Sequence, residues 1–203
     1  MKITDIKQQV KRQGRYSVFV DEKYAFSLSE SALLDQKIRI GQEISKEVLQ
    51  AFKDASKFDK AYSLVLAYVA RRARSEWELR DYFRRKEIDE EAGEQILGRL
   101  KNYGYVSDES FARSWVDNRR LLKPVSKRRL GQELRQKHVS DDIIRLVLEE
   151  DETTDRDTLR QLIERKRKQT RYQDDTKLMQ YLARQGYGYD DIKSAMRSDD
   201  EDF

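Results

Sequence analysis

One arrangement of apolar and polar positions occurs three times along the chain. Leu79-x3-Phe83-x2-Lys86-x-Ile88, Leu130-x3-Leu134-x2-Lys137-x-Val139 and Leu178-x3-Leu182-x2-Gln185-x-Tyr187 follow the same order. In each, an apolar residue is followed by another four on, a long polar side chain three later, and an apolar or aromatic residue two beyond. The period is roughly fifty residues, within the range of supersecondary repeats. Around each copy the apolar spacing is helical. Ala61, Leu64, Val65 and Tyr68 form one stripe, and Arg71, Arg72 and Arg74 are expected to close that helix at its cation-favouring end. Ser75-Glu76-Trp77-Glu78 has the form of a capping box, so a second helix carries Leu79 and Phe83. Asp89 predicts a third through Ile96, Leu97 and Leu100, terminated by Gly104.

The next unit starts at Ser107 or Asp108, with Phe111, Trp115 and Leu122 expected inward. Pro124 forces a break, Ser126 caps the second helix, and Ser140 caps a third carrying Ile144, Val147 and Leu148. In the last unit Leu159, Leu162 and Ile163 line the first helix, Asp174 caps the second, and Ile192, Ala195 and Met196 face inward on the third.

The first fifty residues differ. Tyr16, Val18 and Val20 alternate with other residues, as do Tyr24, Phe26 and Leu28, and Asp21-Glu22-Lys23 between them suits a hairpin loop. With Ile3 to Val10 this predicts a three-stranded meander, followed by a short helix between Ser29 and Gln36 and a long one capped by Ser45. The expected fold is mainly α: tandem repeats of three-helix units in a curved array, behind a small N-terminal β-meander unit. The boundaries are 1–50 for the β-containing unit, 51–106, 107–151 and 152–198 for the repeats, and 199–203 for an acidic, disordered tail.

Composition narrows the chemistry. The 203 residues are 37% hydrophobic and 39% charged, against roughly 45–50% and 25% in an average soluble domain, so thin layers with much charged surface are favoured over one thick core. A net charge of +4 is the difference of 42 basic and 38 acidic residues, so local segregation of sign matters more than the total. Without cysteine there is no disulfide, thiolate nucleophile or Cys-ligated metal. No apolar run approaches the length of a membrane span and Met1-Lys2-Ile3-Thr4-Asp5 is not a secretory signal, so a cytoplasmic monomer with no membrane partner is expected.

Catalytic signals are missing. His138 is the single histidine, which excludes a His-based metal cluster or triad within one chain. Asp141-Asp142, Asp174-Asp175 and Asp190-Asp191 sit at predicted helix starts, where capping accounts for them. There is no phosphate-binding loop, and Gly186-x-Gly188 lacks the third glycine and the preceding strand of a dinucleotide site. No catalytic residue, metal or cofactor is expected.

Clustered bases are the candidate contacts. Arg119, Arg120, Lys123, Lys127, Arg128 and Arg129 bracket Pro124, with Asp117 the only acid close in sequence. They read as a surface for acidic protein patches or DNA phosphates, or else as a solvated connector. Arg165, Lys166, Arg167, Lys168 and Arg171 form a second run with the same two readings, and Arg72 and Arg74 join the candidates. Phe111 and Trp115, four apart, read as core before base stacking.

Several stretches resemble the RecX regulatory proteins that act on the RecA recombinase. They are Arg72-x-Arg74-Ser75-x2-Glu78-Leu79-x3-Phe83, Ile88-Asp89-Glu90-Glu91, Leu100-Lys101-x2-Gly104-Tyr105-Val106-x-Asp108-Glu109-x-Phe111-Ala112-Arg113-x-Trp115-Val116, and Ser126-x-Arg128-Arg129-Leu130-x2-Glu133-Leu134-x2-Lys137. The likeness is dense over about residues 60 to 150, extends to the Tyr16 to Leu28 segment, and reaches the third repeat through its pattern. Family members commonly carry glycine after the Lys of each second helix. Here Glu87 and His138 stand in two of those places and only Gly186 keeps it, which puts a left-handed exit in doubt at the first two.

The resemblance implies binding without turnover. Such proteins lodge in the groove of the RecA nucleoprotein filament and restrain strand exchange, ATP hydrolysis and filament growth, within DNA repair, homologous recombination and the SOS response. Helices of roughly twelve residues at about 1.5 Å per residue make each unit near 20 Å across, so three in a row reach over neighbouring subunits. Single- or double-stranded DNA phosphates are a further expected partner. Two other classes stay open, a stand-alone helical DNA-binding regulator and a general helical-repeat scaffold.

Overall fold

A computed structural model describes the backbone of residues 1–201 and the side chains of residues 1–197. Three antiparallel strands, β1 (Ile3–Gln8), β2 (Arg15–Val20) and β3 (Lys23–Ser29), pair in the order β1-β2-β3. Ten α-helices follow: α1 (Glu30–Asp35), α2 (Lys46–Val69), α3 (Glu76–Arg85), α4 (Glu90–Asn102), α5 (Asp108–Leu122), α6 (Lys127–Gln136), α7 (Asp141–Glu150), α8 (Asp155–Arg167), α9 (Asp175–Arg184) and α10 (Tyr189–Glu201). The described chain is therefore mainly helical, with three-helix units in tandem behind the sheet. It divides into two compact units, one of Met1–Arg72 with Phe83–Gly98, the other of Ala73–Tyr82 with the chain from Arg99 onward.

In the first unit Ile3, Val18, Val20, Phe26 and Leu28 project from one face of the sheet into a core shared with Ile38, Ile44 and Phe52. The β2–β3 loop is only Asp21 and Glu22, both at positive φ, since Lys23 already belongs to β3. Two such residues match the twist of a tight hairpin. The Asp21 carboxylate accepts from the Lys2 N–H at 2.8 Å, and the Thr4 hydroxyl accepts from the Glu22 N–H at 2.9 Å. A buried ion pair ties α2 to the sheet. Arg15 and Asp59 lie 3.0 Å apart, both nearly inaccessible; Arg15 also donates to the Ser27 carbonyl and Asp59 accepts from the Ser29 N–H. Nothing in the local spacing of Arg15 or Asp59 signals this pair, because its members come from a strand and a helix 44 positions apart.

In the second unit two apolar clusters follow the repeats. Phe111, Ala112, Val116, Leu130, Leu134, Val139, Ile144 and Val147 bring α5, α6 and α7 together. Leu159, Leu162, Ile163, Leu178, Leu182, Tyr187, Ile192, Ala195 and Met196 do the same for α8, α9 and α10. Caps fall where hydroxyls and carboxylates were expected. Ser45, Ser75, Asp89, Ser107, Ser126, Ser140 and Asp174 each accept from the backbone N–H three residues on, satisfying donors that a helix start leaves unpaired.

Four expectations need correction. Leu64 is 43% exposed, leaving Val65 as the fully buried residue of its stripe. Helix α2 ends at Val69, so Arg71, Arg72 and Arg74 lie in the connection to α3 and its last turn carries no base. Leu122 is 67% exposed, because Arg119 and Arg120, one turn beyond Trp115 and Val116, take the inward positions of α5. The segment from residue 199 is not a separate tail throughout. Helix α10 continues to Glu201, with neither glycine nor proline after Tyr189 to stop it, and Asp202 and Phe203 lie outside the described residues.

Candidate interaction surface

The thrice-repeated pattern is the second helix of each unit together with its exit. Leu79, Leu130 and Leu178 are fully buried, and Phe83, Leu134 and Leu182 follow them on the inward face. The residue after each Lys86, Lys137 and Gln185 then turns left-handed: Glu87 at φ 52°, His138 at 57° and Gly186 at 96°. In each exit the next N–H, that of Ile88, Val139 or Tyr187, reaches back to the carbonyl of Phe83, Leu134 or Leu182, at 3.0, 3.2 and 3.4 Å. These are Schellman closures, in which the apolar residue after the turn covers the last inward residue of the helix. The left-handed exit doubted for lack of glycine is thus present in all three places.

Two junctions between consecutive repeats share one design. The first helical residue of the following repeat is an aspartate whose carboxylate accepts from the first helical N–H of the preceding repeat's second helix. Asp108 accepts from Glu76 at 2.7 Å, and Asp155 from Lys127 at 2.8 Å. Burial raises the Asp108 pKa above the ordinary value, against the pull of the Glu76 N–H. The left-handed exit then meets the cap of the preceding repeat. His138 stacks on Trp77 with centroids 4.4 Å apart and planes at 18°, while Lys137 reaches Glu78 at 2.9 Å. In the second junction the Ser126 N–H donates to the Gln185 carbonyl at 3.1 Å. There glycine is required, because a Cβ on Gly186 would lie 2.4 Å from the Ser126 hydroxyl and 2.8 Å from the Arg129 Cβ.

The bases around Pro124 divide into internal and external sets. Arg120 has a side chain only 13% exposed. It pairs with Asp151 at 2.6 Å and donates to the Val125 carbonyl at 2.7 Å. Burial works to raise the Asp151 pKa, and the hydrogen bond and charge of Arg120 outweigh it, leaving this carboxyl below its ordinary value. The Lys127 ammonium donates to the Leu148 and Asp151 carbonyls. Arg119 binds Glu133 at 2.7 Å and lies 5.1 Å over the Trp115 ring, whose N–H donates to the same carboxylate at 2.9 Å. Lys123 and Arg128 are exposed, and Arg129 is partly exposed with Glu133 3.6 Å away.

Asp117 is therefore not the acid that matters. Glu133, Asp151 and Asp155 do the pairing, brought in by α6, by the end of α7 and by the start of α8. Of the three only Asp155 had a sequence signal, as an aspartate that follows the cap of its helix like Asp108 in the repeat before. Phe111 is buried and Trp115 half-buried against its cluster, as the core reading expected. Tyr187 is buried and Tyr189 is 62% exposed.

The second basic run stays largely outside. Arg165, Lys168 and Arg171 are exposed, Lys166 and Arg167 half-buried, and Arg167 pairs with Asp175 at 2.5 Å. Of the remaining candidates Arg72 is exposed and Arg74 half-buried in the α2–α3 connection. Among the described residues no cluster of His, Cys, Asp and Glu is arranged to hold a metal ion, and no helix is long and apolar enough to cross a membrane.

Fold and surface together define a tandem three-helix-repeat protein whose charged groups serve its junctions and its exterior. Four family models match in chain order: the regulatory protein RecX N-terminal domain over residues 1–45, and the first, second and third RecX three-helix domains over 61–100, 107–148 and 154–196. The chain belongs to the RecX family. It is 34% identical over 148 residues to a regulatory protein RecX of Lactobacillus gasseri, covering 73% of this chain and 54% of that protein. To one of Listeria monocytogenes it is 33% identical over 150 residues, covering 74% and 56%. The chain spans about half the length of these curated relatives. A crystal structure of a regulatory protein RecX superposes with a TM-score of 0.70 at 28% identity, over 95% of this chain and 98% of that one. RecX from Lactobacillus salivarius, at 21% identity and TM-score 0.59 over 71% and 97%, shares the fold.

Proposed function

We propose that this protein binds the RecA nucleoprotein filament and restrains its recombinase and ATPase activities, acting as a cytoplasmic monomer without catalysis of its own. The observation that carries the reading is the ordered match of all four RecX domains along one chain. The two alike junctions support it. Within the second unit each ties the start of one repeat to the second helix of the repeat before it through an aspartate and a buried cap, a recurrence that suits contact with regularly spaced subunits. Contacts made only when those subunits are correctly spaced favour one filament state by differential affinity.

Of the candidate bases, Lys123, Arg128, Arg129, Arg165 and Lys168, with Arg72, are the proposed contacts. Arg119, Arg120 and Lys127 act through the fold, since their charges are already engaged. The test is capture on RecA filaments assembled on single-stranded DNA, with and without ATP. Lys123→Ala with Arg128→Ala weakens capture and leaves far-ultraviolet circular dichroism unchanged. Equal capture of this variant would remove these residues from the surface, and failure of the wild-type protein to bind would remove the reading.

A further inference from the structure

Tyrosines lie among the bases of the third repeat. Lys166 sits with its ammonium 5.1 Å from the Tyr172 ring and 4.7 Å from the Tyr181 ring, and the Arg171 guanidinium lies 5.7 Å over Tyr172. The two rings are 5.1 Å apart and half-buried against the α8–α10 core, which holds them in place. Burial also raises the Tyr181 pKa, keeping its phenol neutral. Around them Arg165, Lys168 and Arg171, three positions apart, are exposed and make no ion pair among the described residues. The acids of this corner are mostly committed: Asp175 to Arg167, and Asp174 to the Lys177 N–H at the start of α9, leaving Glu164 exposed. In the second repeat Arg119 and Arg120 turn inward to Glu133 and Asp151. Their counterparts in the third, Lys166 and Arg167, are half-buried, Lys166 against Tyr172 and Tyr181 and Arg167 on Asp175, while Arg165, Lys168 and Arg171 beside them stay exposed.

We infer that the α8–α9 corner, through Arg165, Lys168, Arg171, Tyr172 and Tyr181, binds single-stranded nucleic acid. Exposed cations at short intervals neutralise successive phosphates, and aromatic rings fixed between cations offer faces on which unpaired bases stack. A duplex keeps its bases paired and uses the cations alone. An acidic protein surface would likewise use the cations and leave the rings idle. The inference rests on the filament reading for its setting and deepens it by naming the strand as what this corner touches. Its test uses no recombinase, so either can fail without the other.

The experiment is fluorescence anisotropy of a labelled oligothymidylate, with a duplex of equal length and polyglutamate as competitors. Binding to the oligothymidylate is expected to weaken with salt, at a log-log slope of about −2 for three phosphates of a single strand. The combined variant Arg165→Gln, Lys168→Gln, Arg171→Gln removes most of that slope and weakens binding by at least about tenfold. Tyr181→Leu, which keeps an apolar side chain against the core, weakens it by about tenfold through lost stacking. Circular dichroism checks that both variants stay folded. Unchanged affinity in the charge variant would overturn the assignment. So would a duplex that competes better than the single strand, or polyglutamate that binds as tightly with Tyr181→Leu neutral, which would point to an acidic protein partner.

Discussion

Asp151 and Arg120 approach to 2.6 Å with side-chain exposures of 6% and 13%, so each charge depends on the other. Asp151→Asn leaves the guanidinium poorly compensated and is expected to cost about 3 kcal/mol, measured by urea unfolding. The acid dependence has a definite sign. The folded carboxyl titrates below its ordinary value, so the unfolded chain binds the proton more readily. This stabilisation is complete above the ordinary carboxylate range, near about pH 4, and is lost as pH falls through the folded value. Stability of the wild-type protein should therefore fall more steeply on that acid limb than stability of Asp151→Asn. Parallel limbs would show that the pair contributes nothing. Arg120 looked like a surface cation in the sequence because its partners stand 31 and 35 positions later. Local composition carries no record of such a partner.

At the scale of elements, the strand meander, the helices and their caps were legible because each rests on local rules: alternation, helical spacing and a hydroxyl or carboxylate before a first turn. The exits of α3 and α6 were less so. Glycine was missing where a left-handed residue is needed, yet Glu87 and His138 adopt that conformation. For His138 the compensation is a stack on Trp77, 61 positions away and in another repeat. A left-handed L-residue costs roughly 1–2 kcal/mol and an aromatic pair returns about 0.5–1.5 kcal/mol. His138→Gly should thus be nearly neutral in the wild-type protein and stabilising by about 1 kcal/mol once Trp77→Ala has removed the stack. A double-mutant cycle measures the coupling, and an equal gain in both backgrounds would show that the ring does not offset the strain.

For the whole molecule, the period of the apolar pattern was enough to expect tandem three-helix units behind a small sheet, and its residues carried the RecX resemblance. The contact surface was only partly legible. Charge runs marked where bases concentrate, but which bases stay outside is decided by acids from other helices of the same repeat, Glu133 and Asp151 above all. The central proposal is that this tandem-repeat protein restrains a recombinase filament. Its most direct test is the single-strand-dependent ATPase of the cognate RecA, followed as this protein is added in small molar proportion. Hydrolysis is expected to fall well before the two proteins are equimolar, and an unchanged rate at saturating protein would refute the proposal.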